Sequence, residues 1–259
     1  MFFTLNISER KKSFSACLGD CFRRPEIYAE KISIEGCLPF YQINAQTHKG
    51  KVPWREIAFV ADKLCRRGIF SETLRLDETS GIKRYESKAL PLRTLFLSAK
   101  DIIKKLRIDC VKSCIAIFDE NAYLTDLVEE IVFLCANIQI ITSCMDVYEK
   151  LGKQLFEKYG VSPVIMCEPT SEVLKSTYIV SVDCSGVPAL FKGIVFTCEK
   201  KRLLNATVLF SREITLPEKF EKYLPNGADK LNFAGALYEL CGAKEFSQLR
   251  FNDMSVSED

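Results

Sequence analysis

Apolar and polar residues alternate in two different ways along this chain of 259 residues. Up to about residue 110 the apolar segments are unevenly spaced, whereas from residue 113 onward short apolar runs alternate with amphipathic segments. Apolar positions at i, i+3 and i+4 favour helices, and compact apolar runs favour strands that are buried on both faces. In the first part the pattern predicts strands over residues 2–8, 30–40 and 72–76, turn-rich or polar links over 44–51 and 77–91, and helices over 52–68 and 92–106.

The second part has the more regular pattern. It predicts strands over residues 113–119, 138–142, 162–168, 178–183, 193–198 and 205–210, and helices over 123–136, 145–160, 171–176, 217–225 and 231–242. Strands that alternate with helices imply parallel pairing through right-handed crossovers. The acidic and polar residues 252–259 are expected to form a frayed tail.

Two stretches of the second part resemble a known family. "IITSCMDVYEKLGKQLFEKYG" (140–160) has the length of a strand, a turn and a helix, and "LKSTYIVSVDCSGVP" (174–188) places a buried strand before small and polar residues. Residues 113–198 resemble the NAD(P)-binding domain of the shikimate dehydrogenase and glutamyl-tRNA reductase group. The fold class predicted is therefore α/β, with a smaller α+β domain over residues 1–110 and a Rossmann-like parallel sheet with closing helices over 111–259.

The features that hold a dinucleotide in that family are missing here. A glycine-rich turn normally follows the first strand, because the backbone must approach a pyrophosphate at a helix N-terminus. In this chain Asp119, Glu120 and Asn121 occupy that turn, and two carboxylates there would repel phosphate. The second strand ends at Thr142 and Ser143, without the acidic residue that binds an NAD ribose. We therefore expect no dinucleotide cofactor.

Polar residues nevertheless follow three of the predicted parallel strands. Ligands of such sheets bind at the carboxyl ends of the strands, where the strand order reverses. The candidate ligand-binding residues are Asp119, Glu120, Asn121, Thr142, Ser143, Asp183 and Ser185. The set holds several acids and no base, so it favours a neutral or cationic ligand. The alternative is that the acids only cap the following helices.

Thiols and histidine offer other candidates for chemistry. The pairs Cys17/Cys21 and Cys110/Cys114 have a three-residue gap, whereas zinc sites usually have a two-residue gap, and we predict no metal site. Cys184 is the most nucleophile-like of the 12 cysteines, but no histidine is near it in sequence. The one histidine, His48, lies in a predicted loop. We expect most cysteines to be buried and inert, as in a reducing cytoplasm.

Net charge and hydropathy indicate which classes of partner the protein is expected to lack. The net charge of +2 and the absence of an apolar run of about 18 residues predict neither nucleic-acid nor membrane partners. The basic segment 9–25, with Phe14 and Phe22 between its charges, could meet phosphate or RNA, but a solvated surface is the favoured interpretation. The sequence thus predicts a non-catalytic cytoplasmic protein that binds a small ligand or a protein partner. The alternative is an NAD(P)-dependent oxidoreductase with its site between the two domains.

Overall fold

A computed structural model describes residues 1–9, 26–47, 51–62, 65–107 and 109–257. Contacts group the chain into two units: unit 1 comprises Met1–Ser87 and Leu216–Phe246, and unit 2 comprises Lys88–Thr215 and Ser247–Asp259. The sequence pattern predicts a single domain boundary, at residue 110. His48, Cys17, Cys21 and nearly all of the basic segment 9–25 lie outside the described residues.

Unit 1 is built on a five-stranded sheet. Its strands are β1 (Phe3–Ser8), β2 (Ile27–Ile32), β3 (Phe40–Gln46), β4 (Arg67–Ile69) and β5 (Lys83–Arg84), and its helices are α1 (Trp54–Asp62), α4 (Glu218–Glu221) and α5 (Lys230–Cys241). The strand order is β2-β3-β1-β4-β5, and every pair is parallel except β2 with β3. The central strand β1 therefore has β3 on one side and β4 on the other.

The side chains of β1 point alternately to the two faces of the sheet. Phe3 and Leu5 face an apolar cluster that includes Trp54 and Ile57 of α1, because successive strand residues point to opposite faces. At the start of the strand, the Phe2 and Phe40 rings stack with centroids 5.0 Å apart. Phe233 of α5 packs edge-on against both rings, so residues 1–87 and 216–246 share one aromatic core.

Three predictions in unit 1 are wrong in detail. The single strand predicted over 30–40 is two antiparallel strands, because the chain turns at Gly36, where φ is 81°. The described part of helix α1 ends at Asp62, and Gly68, predicted to stop that helix, lies inside β4. A Cβ atom on Gly68 would come 2.6 Å from the Phe3 ring, so this glycine permits close strand packing. Residues 72–76 form turns and coil instead of a strand.

Unit 2 contains a seven-stranded sheet. Its strands are β6 (Cys114–Phe118), β7 (Asn137–Ile141), β8 (Val164–Met166), β9 (Tyr178–Val180), β10 (Ile194–Thr197), β11 (Thr207–Phe210) and β12 (Ser255–Val256), and its helices are α2 (Ala89–Leu106) and α3 (Met145–Tyr159). From β8 to β11 the order is β8-β7-β6-β9-β10-β11, and all of these pairs are parallel. Numbered from β6, this is the 3-2-1-4-5-6 order of dinucleotide-binding domains. The predicted α/β, Rossmann-like parallel sheet is confirmed.

The crossovers of unit 2 differ from the prediction. Residues 123–136, predicted as a helix, form turns around a 3₁₀ helix at Val128–Ile131. Leu124, Val128 and Ile131 are buried there, which satisfies an i, i+4, i+7 pattern without an α-helix. The segment predicted as a helix over 171–176 is likewise a 3₁₀ helix, Ser171–Lys175. Within residues 119–206, all of which the structure describes, α3 is the only α-helical crossover.

One face of this sheet is therefore covered largely by irregular chain. Ala116, Ile179 and Val195 lie on that face and pack against Val173 of the 3₁₀ helix and against Phe191. The helix α2 contacts β9 and β10 of the sheet. The predicted frayed tail is wrong for Ser255 and Val256, since β12 pairs antiparallel with β11 at Leu209–Val256 and Phe210–Ser255.

None of the helices in the described ranges combines the length and apolar character that crossing a membrane would require.

The ten cysteines within the described ranges are free thiols. Five are buried, namely Cys114, Cys135, Cys184, Cys198 and Cys241, and only Cys167 is exposed. Burial raises the pKa of Cys135 to about 12 and that of Cys241 to about 11, because a thiolate is poorly solvated in an apolar interior.

We expect the five buried thiols to react at least about tenfold more slowly than Cys167 with a chromogenic disulfide reagent at pH 8, because the thiolate is the reactive species and is scarce in their sites. Peptide mapping of the native protein by mass spectrometry gives the order of labelling, and denaturation should then expose all 12 thiols. Fast native labelling of Cys135 and Cys241 would contradict the buried positions.

Candidate functional site

The first predicted site residue, Asp119, follows β6 at the carboxyl edge of the unit 2 sheet and is fully buried. Its Oδ1 accepts a hydrogen bond from the backbone N–H of Tyr123 at 2.9 Å. Its Oδ2 accepts two more, from the N–H of Leu124 at 2.7 Å and from the Tyr148 hydroxyl at 2.6 Å. A buried carboxylate with three donors is satisfied, whereas an unpartnered one would be strongly destabilising.

Tyr148 reaches Asp119 from helix α3 and is itself fully buried. Burial, and then the adjacent Asp119 carboxylate, raise the pKa of Tyr148, so the phenol keeps its proton and remains a donor. The hydrogen bond thereby fixes α3, which follows β7, to the turn that follows β6. The sequence pattern indicates only that Tyr148 lies on the apolar face of an amphipathic helix, and it does not point to the contact with Asp119.

The same turn holds a left-handed residue that is not glycine. Ala122 has φ 58°, and its N–H approaches the Asp119 carbonyl at 3.5 Å. The turn therefore has the kind of backbone bend that glycine usually provides, but without glycine. No glycine marked the position in the sequence, so sequence reasoning missed it.

The second group of predicted residues, Thr142 and Ser143, follows β7 and bonds to the first turn. The Glu120 carbonyl accepts hydrogen bonds from the Ser143 hydroxyl at 2.5 Å and the Ser143 N–H at 3.3 Å. Thr142 is buried, and its Oγ1 accepts the Cys144 N–H at 3.0 Å while lying 3.5 Å from the Glu120 carbonyl. These hydroxyls join neighbouring turns.

The third group follows β9. The Asp183 Oδ1 accepts hydrogen bonds from the N–H of Ser185, at 2.8 Å, and from its hydroxyl. Glu199, which sequence reasoning did not select, accepts the Cys184 N–H at 3.0 Å and ties this turn to the end of β10. A Cβ atom on Gly186 would lie 2.7 Å from the Phe118 ring, so the turn after β9 also lies against the end of β6.

These contacts leave few free polar groups among the seven predicted residues. The side chains of Glu120 and Asn121 are exposed and make no hydrogen bond within the described residues. Asp183 uses only Oδ1 in its recorded hydrogen bonds, so its Oδ2 remains open. The structure thus leaves Glu120, Asn121 and Asp183 available to a ligand, whereas Asp119 and Thr142 are committed inside the protein.

The cysteines that the sequence offered as nucleophile or metal ligand lie in environments that disfavour reactivity. Burial is the main cause that raises the pKa of the Cys184 thiol, whose Sγ lies 3.8 Å from Thr197 Oγ1. Cys114 is buried, and its Sγ lies 3.5 Å from Ser176 Oγ. Within the described ranges, no three His, Cys, Asp or Glu side chains converge as metal ligands would.

No family model and no curated protein matches this sequence. Among solved structures, L-tryptophan dehydrogenase from Nostoc punctiforme is similar at 12% identity with a TM-score of 0.29. The match covers 76% of this chain and 62% of that chain, so the protein spans less than two thirds of the structure it resembles. A TM-score this low supports no conclusion about activity. The Rossmann-like assignment rests on the strand order, and the resemblance to the shikimate dehydrogenase group stays an interpretation of the sequence.

Replacing Asp119 by Asn should lower the free energy of unfolding by about 2–3 kcal/mol, because a charged acceptor of three hydrogen bonds is lost. Tyr148→Phe should cost about 2 kcal/mol, because it removes one donor to that charge. Urea denaturation measures both, and the double mutant should show a coupling energy above about 0.5 kcal/mol.

The matched control for this pair is Asp183→Asn, which alters an exposed carboxylate in the same unit. It should change the free energy of unfolding by less than about 0.5 kcal/mol. Equal effects of Asp119→Asn and Asp183→Asn would rule out a special role for the buried carboxylate.

Ala122→Gly should stabilise the protein by about 0.5–1 kcal/mol, because a left-handed conformation is strained for alanine and free for glycine. The control Ala136→Gly, at a residue without positive φ, should instead destabilise it by a similar amount. Urea midpoints at constant m-value report both changes, and destabilisation by Ala122→Gly would show that the turn is not left-handed.

Proposed function

We propose that this protein is a non-catalytic binding protein whose unit 2 keeps a nucleotide-type strand order without a site for a dinucleotide. The observation that carries the proposal is the internal bonding of Asp119. In nucleotide-binding sheets, the turn after the first strand offers backbone N–H groups to a pyrophosphate. Here the N–H groups of Tyr123 and Leu124 are given to a carboxylate of the chain itself. An incoming phosphate would meet a buried negative charge where it needs donors.

The missing helix after β6 supports the same proposal. Helix N-termini attract anions because their first N–H groups are unpaired and the helix dipole adds positive potential. Residues 123–136 form turns and a four-residue 3₁₀ helix, which provides little of that field. Both sources of phosphate affinity at this edge are therefore weak.

The open groups at the edge favour a neutral or cationic small molecule. Glu120 and Asp183 bring two exposed carboxylates, and Asn121 adds a carboxamide that can donate or accept. Lys200, the first lysine after β10, has its ammonium 5.8 Å from the Phe210 ring centroid, and the charge of Lys201 acts on the Cys184 thiol beside Asp183. We propose Glu120, Asn121 and Asp183 as the ligand contacts, with Asp119 as a positioning residue. We also propose a cytoplasmic location, because the ten cysteines within the described ranges are free thiols and five of them are buried.

Titration calorimetry with NAD⁺, NADP⁺, NADH and NADPH tests the proposal directly. We expect no saturable binding below about 1 mM, the range in which dinucleotide enzymes commonly work. A micromolar dissociation constant for any of the four would overturn the proposal and favour the oxidoreductase alternative.

A thermal-shift series with putrescine, choline and betaine tests the site. We expect at least one of these probes at 20 mM to raise the Tm of the native protein, because a ligand that binds only the folded state stabilises it. The variant Glu120→Gln/Asp183→Asn should lose most of that shift, whereas the surface control Glu149→Gln should keep it. An unchanged shift in the double variant would place the binding elsewhere.

A further inference from the structure

The central strand of unit 1 separates from one of its neighbours part-way along. β1 pairs with β3 over all six residues, Phe3 to Ser8. It pairs with β4 only at Phe3–Gly68 and Thr4–Ile69. Beyond Ile69 the chain leaves the sheet, so the β4-facing edge of residues 5–7 has no paired strand among the described residues. The split lies at the carboxyl ends of β1 and β4, and the carboxyl ends of parallel strands are where ligands of such sheets bind.

A cavity of about 480 Å³ occupies this split. That volume lies in the range of roughly 300–1,000 Å³ found for small-molecule sites. Three chain segments of unit 1 line it, and we call them together the β1 crevice: Leu5, Asn6, Ile7, Ser71, Leu74, Lys222, Leu224 and Asn226.

Arg84 of β5 holds one wall of the β1 crevice. Its guanidinium donates to the carbonyls of Phe70, Ser71 and Leu74 at 2.8, 3.1 and 3.2 Å. The same group lies 4.2 Å from the centroid of the Phe70 ring. Three bonds from one planar cation fix the loop that carries Ser71 and Leu74, so this wall is formed before any ligand arrives.

The opposite wall is fixed by a turn at Gly227. The Glu72 N–H donates to the Gly227 carbonyl at 2.9 Å. Gly227 has φ 72°, and a Cβ atom there would lie 2.8 Å from Ser71 Oγ. Only glycine both adopts this backbone conformation and leaves room for the serine, so the sequence of the turn keeps Asn226 close to the loop after β4.

The polar groups of the β1 crevice carry one charge, and it is positive. Lys222 is the only ionisable residue of the lining, and its ammonium makes no ion pair within the described residues, lying 4.9 Å from the Tyr223 ring centroid. The Asn226 carboxamide is exposed and makes no hydrogen bond within the described chain. Asn6 is oriented by its bond to Asn44 at 3.3 Å, which leaves further donor and acceptor capacity.

We propose that the β1 crevice binds a small organic carboxylate. Lys222 pairs with the carboxylate, and Asn6, Ser71 and Asn226 form hydrogen bonds with the ligand's hydroxyl or carbonyl groups. Leu5, Leu74 and Leu224 cover its apolar part. This site lies in unit 1 and is independent of the cationic or neutral ligand proposed for unit 2, so either can fail without the other.

The test uses the full chain and three probes, L-malate, 2-oxoglutarate and 4-hydroxybenzoate, each compared with its methyl ester. We expect at least one carboxylate at 20 mM to raise the Tm by 2 °C or more, while its uncharged ester raises it by less than a third as much, since a ligand-specific shift needs differential binding to the folded state.

Two variants then locate the binding. Lys222→Met removes the cation. Asn226→Asp places a negative charge, like that of the ligand's carboxylate, at the exposed rim with almost no change of shape. Each variant should raise the dissociation constant of the active probe at least about tenfold, as expected for a charge-assisted contact. The matched control Lys31→Met removes an exposed lysine of β2 outside the β1 crevice and should leave the constant within about twofold.

The proposal is overturned if none of the three carboxylates shifts the Tm, if the esters act as well as the acids, or if Lys31→Met weakens binding as much as Asn226→Asp does. Should Lys222→Met fail to fold, as judged by circular dichroism, the conservative Asn226→Asp decides the outcome alone.

Discussion

The architecture of unit 2 depends on one buried negative charge. Asp119 is fully enclosed, and its carboxylate binds the turn after β6 and the side chain of Tyr148 on α3. Taking an ion out of water is tolerated only when donors replace the water, and the three donors here come from two crossovers. The carboxylate therefore does internally what a bound phosphate does in a nucleotide-binding protein: it organises the edge of the sheet. The turn after β6 thus contains an internal carboxylate and no glycine.

The parallel sheet of unit 2 could be predicted from the sequence, because continuous apolar runs indicate buried strands whatever the structure of the connections between them. "CIAIF" at Cys114–Phe118 and "NIQII" at Asn137–Ile141 pair in parallel as expected. The connections were harder, because a buried i, i+4, i+7 pattern is satisfied both by an α-helix and by successive turns. Leu124, Val128 and Ile131 bury their side chains in either case. The sequence also does not display the contact of the Asp119 carboxylate with the N–H groups of Tyr123 and Leu124, which holds the first of these turns.

The candidate site, too, could be predicted from the sequence only in part. The sequence brought together residues that do lie at one edge of one sheet, because parallel strands end at the same edge. It could not tell the buried Asp119 from the exposed Glu120 beside it, since the two acids are adjacent and alternate between the interior and the solvent. The β1 crevice escaped sequence reasoning altogether. Its walls come from residues near 5, 72 and 224, and only the pairing that ends at Thr4–Ile69 shows that a space opens between β1 and β4.

Unit 1 is formed by two segments that lie far apart in the sequence, and this affects the order in which the chain folds. Phe2 and Phe40 find Phe233 only after residues 88–215 have been synthesised, so the aromatic core of unit 1 is a contact of very long sequence separation. Contacts of that kind form late, because the entropy of closing the intervening loop must be overcome first. Most of unit 2 is contiguous and can fold while the ribosome is still translating, whereas residues 1–87 wait with an incomplete core. Over that interval the rings of Phe2 and Phe40 lack their contact with Phe233, and apolar surface that stays exposed during folding promotes aggregation and chaperone binding.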